Sequence, residues 1–168
     1  MNQLLSKALD ELQARMFYMN KKSDRIANLL KHKFGCIAFS ELFHNDYAHF
    51  WALKAADRIV EIKDLDGEQS EYPAVEESRE DFETLQDMFS FLFSAVVETK
   101  ESVQEAIEIA EQEKEVCTKV ALEDFISKLQ KVCYSTEFLF KKSTIYGNEL
   151  YNFDAQASVW YVKIFDAM

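Results

Sequence analysis

The sequence has almost none of the residues that interrupt helices. Its 168 residues include only 3 glycines and 1 proline, while 48% of the chain is hydrophobic. Because glycine and proline mark most turns in compact proteins, their scarcity argues against folds built on many turns and favours a few long helices. The length fits a single domain, and 14 Phe and 7 Tyr supply bulky core material.

Paired cysteines are also missing. Cys36, Cys117 and Cys133 are an odd number of thiols without C-x-x-C spacing, so we expect reduced cysteines in the core of a cytoplasmic protein. The first residues, MNQLLSKALDE, are too polar for a signal peptide. No apolar run approaches the ~20 residues that a membrane span needs.

Basic residues are outnumbered by acidic ones. The 19 Lys and Arg residues face 30 Asp and Glu residues, which leaves a formal net charge of −11. Such a surface repels phosphate backbones, so direct nucleic-acid binding is not expected, whereas cations are attracted. The sequence also contains no phosphate-binding glycine loop, no zinc-ligand spacing and no paired nucleophile and base.

The segment Phe34–Asp64 carries ionisable residues where a helix is expected to be apolar. Asp46 and His49 are three residues apart, so their side chains point the same way and can bind one metal ion inside a bundle. Glu41 and His44 repeat this spacing on the opposite, solvated side. At 100° per residue, the inward face is predicted to contain Phe39, Leu42, Phe43, Asp46, His49, Phe50, Leu53, Asp57 and Val60.

Three further long helices are predicted from stripes of apolar residues. The first covers Asn2–Leu30, the third Arg79–Gln112 and the fourth Val116–Tyr146. Gly147 is well placed to end the fourth helix. No helix breaker lies in Glu111–Glu115, so the sequence also leaves open that the third and fourth helices are one.

A long linker, Asp64–Ser78, separates the second and third helices. Gly67, Pro73 and many acidic residues prevent a continued helix there. Fifteen extended residues reach ~50 Å, and a helix of ~27 residues is ~40 Å long. The linker can therefore return along the bundle and start the third helix parallel to the second. Ser78 followed by Asp81 is typical of a helix start.

Residues 148–168 form an aromatic tail behind the bundle. Asp154 is predicted to cap a short fifth helix that carries Val159, Trp160 and Ile164 and packs on the bundle or on a partner. We therefore divide the chain into a four-helix bundle over residues 1–147 and a tail over residues 148–168.

Ligand-type residues on the first two helices resemble those of ferritins. Ferritins carry a metal-binding Glu on the first helix with a Tyr seven residues later, and a Glu-x-x-His pair on the second helix. Here Glu11 and Tyr18 stand on the first helix, and Asp46-x-x-His49 lies at about the expected distance beyond them.

Two longer segments resemble Dps-type miniferritins. These segments are SELFHNDY at Ser40–Tyr47 and AIEIAEQEKEVCTKVALEDFISKLQK at Ala106–Lys131. The resemblance implies an all-α, ferritin-like antiparallel four-helix bundle with a long crossover between helices two and three and a short C-terminal fifth helix. It also implies a homo-oligomer.

The ligand set departs from the ferritin pattern in several places. Asp46 replaces a Glu and is one methylene shorter. The ferritin third-helix Glu falls near Glu98, which is predicted to point outward, while Thr99 takes the inward position. Gln130 only approximately matches the fourth-helix Gln, and Ser40 stands where miniferritins have a second-helix His. A di-iron centre draws carboxylates from all four helices, and this chain offers about half of such a set.

Iron handling is the function that the resemblance implies. Glu11, Asp46, His49 and Asp57 are the predicted metal ligands of a degenerate site, which supports weak ferroxidase activity or iron storage and detoxification. Oxygen or peroxide would oxidise the bound Fe(II). Carboxylate and imidazole ligands suit Mn or Zn as well as Fe.

The alternative is a non-catalytic ferritin-like bundle that acts as a structural or interaction module. Asp46 and His49 are then a buried ion pair, and their hydrogen-bonding groups are satisfied by each other and by Tyr18 or Arg15. Burying Asp46, His49 and Asp57 unpaired would cost several kcal/mol, and this cost favours the metal site over the ion pair.

Overall fold

The computed structural model describes residues 3–65 and 73–160. Within these ranges all regular secondary structure is helical and there is no strand, which confirms the all-α prediction. None of the described helices is long and apolar enough to cross a lipid bilayer. The predicted features at Gly67 and Ile164 lie outside the described residues. In chain order the helices are α1 (Gln3–His32), α2 (Ile37–Leu42), α3 (Ala56–Asp64), α4 (Leu85–Gln112), α5 (Val116–Tyr146) and α6 (Leu150–Ala155).

Two π-helical stretches join α2 to α3. They span Phe43–Tyr47 and Phe50–Ala55, so residues 37–64 form one continuous unit, here named the composite helix. The N–H of Ala48 donates to the carbonyl of Phe43, and the N–H of Ala56 donates to the carbonyl of Trp51. Both bonds reach back five residues instead of four, which defines π-helical turns.

The composite helix buries every fourth residue along most of its length. Four residues turn an α-helix by 400°, so a stripe with this spacing rotates by about 40° per step around a straight α-helix. The π-helical turns take up the extra rotation and keep the stripe directed at the bundle. The buried positions with this spacing are Phe39, Phe43, Tyr47, Trp51, Ala55, Ile59 and Lys63.

Hydrogen bonds along α1 establish that the composite helix runs antiparallel to it. Asn20 Nδ2 donates to the carbonyl of Ala48 at 2.8 Å, and Lys63 Nζ lies 2.7 Å from Asp10 Oδ1. Residue numbers therefore rise on the composite helix as they fall on α1, as expected for two helices joined by a short turn.

Contacts between α1 and α4 fix the direction of the third long helix. Lys33 Nζ lies 2.9 Å from Asp81 Oδ1 just before α4, and Arg15 Nε donates to Thr99 Oγ1 at 2.8 Å farther along. α4 is therefore antiparallel to α1 and parallel to the composite helix. This direction confirms the long crossover between the second and third helices. α5 then packs on α4 and on α3, which closes a four-helix bundle.

The described end of the crossover, residues 73–84, lies along α1. Arg25 Nε donates to the carbonyl of Glu80 at 2.7 Å, and the almost fully buried Lys22 pairs with the Glu80 carboxylate. Partial burial opposes ionisation of Glu80, but hydrogen bonds from Lys22 and Ser78 lower its pKa below the ordinary value. The crossover is thus held by an ionised carboxylate against the cations of α1.

The start of α4 differs from the prediction. The helix was expected at Arg79 with its signal in Ser78–Asp81, but it begins at Leu85. Thr84 is its N-cap, and the Thr84 hydroxyl oxygen accepts the N–H of Asp87 at 3.1 Å. The predicted start is wrong because Arg25 binds the carbonyl of Glu80 and Lys33 binds the carboxylate of Asp81, and these bonds hold that segment out of a helix.

A capping motif separates α4 from α5. Lys114 adopts a φ of 58°, the N–H of Glu115 donates to the carbonyl of Ala110 at 2.9 Å, and the N–H of Lys114 donates to the carbonyl of Glu111 at 3.2 Å. This pair of bonds is a Schellman motif. Two separate helices are therefore confirmed and a fused helix is wrong. The turn could not be predicted from a glycine, because Lys114 occupies the position that glycine usually takes.

The described part of the tail packs on the bundle. Gly147 ends α5 as predicted, and the Phe153 ring stacks on that of Phe39 with a centroid separation of 4.7 Å. The predicted cap is wrong: Asp154 lies inside α6 and does not immediately precede the helical segment that carries Val159 and Trp160, which begins at residue 157. Its two carboxylate oxygens accept the N–H groups of Ala38 at 3.1 Å and Phe39 at 2.9 Å, at the N-terminus of α2. Those amides have no partner inside α2 and favour an anion.

Two of the three thiols are buried. Cys36 and Cys133 lie in the core as predicted, but Cys117 is exposed near the start of α5, and all three are free. Burial, followed by the charge of Asp154, raises the pKa of Cys36 to about 12. The Cys36 thiol therefore stays protonated at neutral pH.

Replacing Lys114 by glycine should stabilise the protein by about 0.5–1 kcal/mol, because glycine adopts a positive φ without a Cβ clash. Urea unfolding measures the change. Lys114→Ala removes the charge but keeps the Cβ, so it should bring no gain. Equal stabilisation by both variants would assign the effect to the lost charge instead of the backbone.

Candidate metal centre

Hydroxyl-bearing side chains, rather than carboxylates, occupy the centre of the bundle. Tyr47, Thr99 and Thr136 are completely buried there, together with Trp51. Within residues 3–65 and 73–160, no Asp, Glu or His side chain is buried. A di-iron centre in a helical bundle takes inward-pointing carboxylates and imidazoles. The described core does not provide that ligand set.

Tyr47 and Thr136 form a hydrogen-bonded pair between the composite helix and α5. Their hydroxyl oxygens are 2.7 Å apart, and Thr136 donates its own proton to the carbonyl of Val132 at 2.8 Å. Tyr47 is therefore the donor to Thr136. Complete burial raises the pKa of Tyr47 well above the ordinary value, although the bond to Thr136 opposes this shift. The pair is neutral and satisfied without an ion.

Arg15 organises a second polar group where α1 meets α4. Its Nε donates to Thr99 Oγ1 at 2.8 Å, and a terminal nitrogen donates to the carbonyl of Ala95 at 2.9 Å. Glu98 is exposed and lies 3.4 Å from the same guanidinium, so the predicted directions of Glu98 and Thr99 are confirmed. The guanidinium also lies over the ring of Tyr18, 4.4 Å from its centroid. Its positive charge disfavours another cation at this position.

The four predicted ligands are not brought together. Glu11 is exposed beside a cleft of about 420 Å³ between α1 and the crossover. Asp57 is exposed beside a different cleft, of about 330 Å³, between the composite helix and α5. His49 is exposed and Asp46 is half-buried. In the described part of the chain, no three His, Cys, Asp or Glu side chains are grouped so that they could hold a metal ion.

The inward orientation predicted for His49 and Asp57 is wrong, and so is a buried ion pair that includes His49. The prediction assumed a uniform turn of 100° per residue, but the two π-helical stretches change the phase of the composite helix. Tyr47 and Trp51 take the inward positions instead. Leu53, which was also expected inside, is 61% exposed.

The sequence itself contains a signal that the composite helix is underwound. Large aromatic residues recur at every fourth position in Phe39, Phe43, Tyr47 and Trp51. Sustained spacing by four does not fit one face of a straight α-helix, whose apolar positions alternate between spacings of three and four. Such a run therefore indicates local underwinding.

Comparisons with known proteins agree on the architecture. A family model described as a ferritin-like domain matches residues 6–142. An open pore ferritin from Archaeoglobus fulgidus superimposes with a TM-score of 0.86 at 18% identity, over 95% of this chain and 97% of that one. A humanized archaeal ferritin gives 0.86 at 15% identity, over 96% and 98%. M. penetrans ferritin gives 0.84 at 13% identity, over 95% and 96%. No curated protein matches the sequence. At these identities the structural likeness shows the fold alone.

The pair Tyr47–Thr136 should be energetically coupled. Tyr47→Phe should cost about 1 kcal/mol for one buried hydrogen bond, and Thr136→Val about 2 kcal/mol, since it leaves the buried Tyr47 hydroxyl without that acceptor. The double variant should be destabilised by less than the sum, because neither unpaired group remains. Urea unfolding of the four proteins completes the cycle, and additive single effects would contradict the coupling.

Proposed function

Since the chain belongs to the ferritin-like family, we propose that it is a non-catalytic member whose bundle serves as a structural or interaction module. The observation that carries this proposal is the composition of the core. The described core buries no Asp, Glu or His, and its central positions hold Tyr47, Trp51, Thr99 and Thr136. A dinuclear centre in a bundle needs carboxylates from several helices.

The hydrogen bonding of buried polar groups supports the same proposal. Inward carboxylates that await a metal repel one another and lose solvation, which costs free energy until the ion binds. Here Tyr47 pairs with Thr136, and Arg15 pairs with Thr99, within hydrogen-bond distance. The bundle therefore needs no ion to satisfy these buried groups.

Iron handling is the competing function, and both the family relation and the net charge of −11 favour it. In that function Glu11, Asp46, His49 and Asp57 bind Fe(II) as substrate, and Mn or Zn suit the same ligands. Because Glu11 and Asp57 line different clefts, a site built from all four requires a rearrangement of the chain or ligands from a neighbouring copy.

We also propose that the protein is a cytoplasmic homo-oligomer. Free thiols fit a reducing compartment. Exposed large apolar side chains gain free energy when association hides them from water. Large apolar side chains more than half exposed are Leu4, Ile37, Leu53, Leu65, Val116, Val120, Tyr134, Ile145, Tyr151 and Val159.

Light scattering on the purified chain should give a mass that is a multiple, greater than one, of 19.6 kDa. Association hides the exposed apolar side chains from water, which supplies the driving force. The measurement is repeated over a range of protein concentrations. A mass of one chain at every concentration would overturn the oligomer.

Fe(II) added in air should be oxidised no faster in the presence of the protein than in protein-free buffer, because the described core lacks a carboxylate centre. Ferric absorbance follows the rate, and elemental analysis of the purified protein measures bound metal. A ferritin with a complete centre is the positive control, and His49→Ala is measured in parallel. Oxidation above the buffer rate that His49→Ala abolishes would replace this proposal by the iron-handling function.

A further inference from the structure

The first π-helical stretch brings two exposed histidines together. His44 and His49 are five residues apart, and in a straight α-helix such side chains point about 140° away from each other. The stretch Phe43–Tyr47 includes His44 and widens the turn that leads to His49. The two imidazole centroids are 6.3 Å apart as a result. Both side chains are exposed.

A carboxylate from α1 orients one of these rings. His44 Nδ1 lies 2.9 Å from Asp24 Oδ1, within hydrogen-bond distance. An ionised carboxylate can only accept, so Nδ1 carries the proton and Nε2 of the neutral ring keeps its lone pair. Metal-binding histidines commonly have this carboxylate partner, which fixes the tautomer and raises the basicity of the free nitrogen.

The spacing of the rings suits a shared ion. With metal–nitrogen bonds of about 2.1 Å, two imidazoles on one ion have centroids roughly 4.6 Å apart at a 90° angle at the metal and roughly 6.5 Å apart at 180°. The observed separation of 6.3 Å is near the wide-angle end of this range, and a narrower angle requires the rings to move closer together. Both rings are on the surface, so small side-chain rotations can adjust the angle.

We propose that His44 and His49 form a two-imidazole surface site for a divalent transition-metal ion, with Asp24 positioning His44. Imidazole selects ions such as Cu²⁺, Ni²⁺ and Zn²⁺, and Cu²⁺ binds most strongly among them. Since no third His, Cys, Asp or Glu in the described chain completes a metal-binding group with them, water fills the other positions. The site lies outside the bundle core, so it does not depend on the proposed function.

Titration of Cu²⁺ into the full chain, followed by calorimetry in a non-chelating buffer, tests this site. The wild type should show one site stronger than all others. His44→Ala and His49→Ala should each weaken it at least tenfold, because each removes half of the protein ligands. Asp24→Asn should weaken it by roughly tenfold, the effect of losing an outer-shell partner. Thermal melts recorded without metal verify that each of these surface variants is folded.

His32 provides the matched control, since it is the remaining one of the 3 histidines in the sequence and is also exposed. His32→Ala should keep the wild-type affinity. Electron paramagnetic resonance at one Cu²⁺ per chain should show two imidazole nitrogens in the wild type and in His32→Ala, and one in His49→Ala. Equal losses in all three histidine variants, or one nitrogen in the wild type, would reduce the site to adventitious binding and overturn the proposal.

Discussion

Underwinding of the composite helix is the constraint on which the rest of the structure depends. Its aromatic stripe has a period of four and must face the bundle, whereas a regular α-helix would carry it about 40° around the axis at each step. Two π-helical stretches remove that rotation. Tyr47 and Trp51 therefore stay inside, while His44 and His49 are placed side by side outside. The underwound backbone thus decides which side chains of the composite helix face the core and which face the solvent.

The four-helix architecture is maintained although the described core lacks the inward-pointing carboxylates and imidazoles of a di-iron centre. Tyr47 is a neutral donor and Arg15 a cationic one, and each donates a hydrogen bond to a threonine on a neighbouring helix. The crossover is held by Lys22 and Arg25 against Glu80, which secures the parallel direction of α4. Because packing and these polar pairs carry the fold, the bundle geometry alone does not establish what the protein does.

Much of the fold followed from local patterns, whereas the site did not. Helix positions could be predicted because apolar periodicity and the scarcity of breakers act over a few residues. The orientations of Glu98 and Thr99 were predicted correctly because α4 is a regular helix. The orientations of His49 and Asp57 were not, because an error in turn angle accumulates along the composite helix and redirects several later side chains, including Leu53.

Composition and local patterns were enough to predict the helical class, the reach of the crossover and the end of α5 at Gly147. These features depend on composition, chain length and the conformational freedom of single residues, so they need no knowledge of distant contacts. The folded structure was needed to reveal that Lys114 turns the chain, that Asp154 caps α2, and that Tyr47 instead of His49 enters the core. Each of these outcomes depends on free energy gained from packing or hydrogen bonds, several of them between residues far apart in the chain, and such energy overrides local preference.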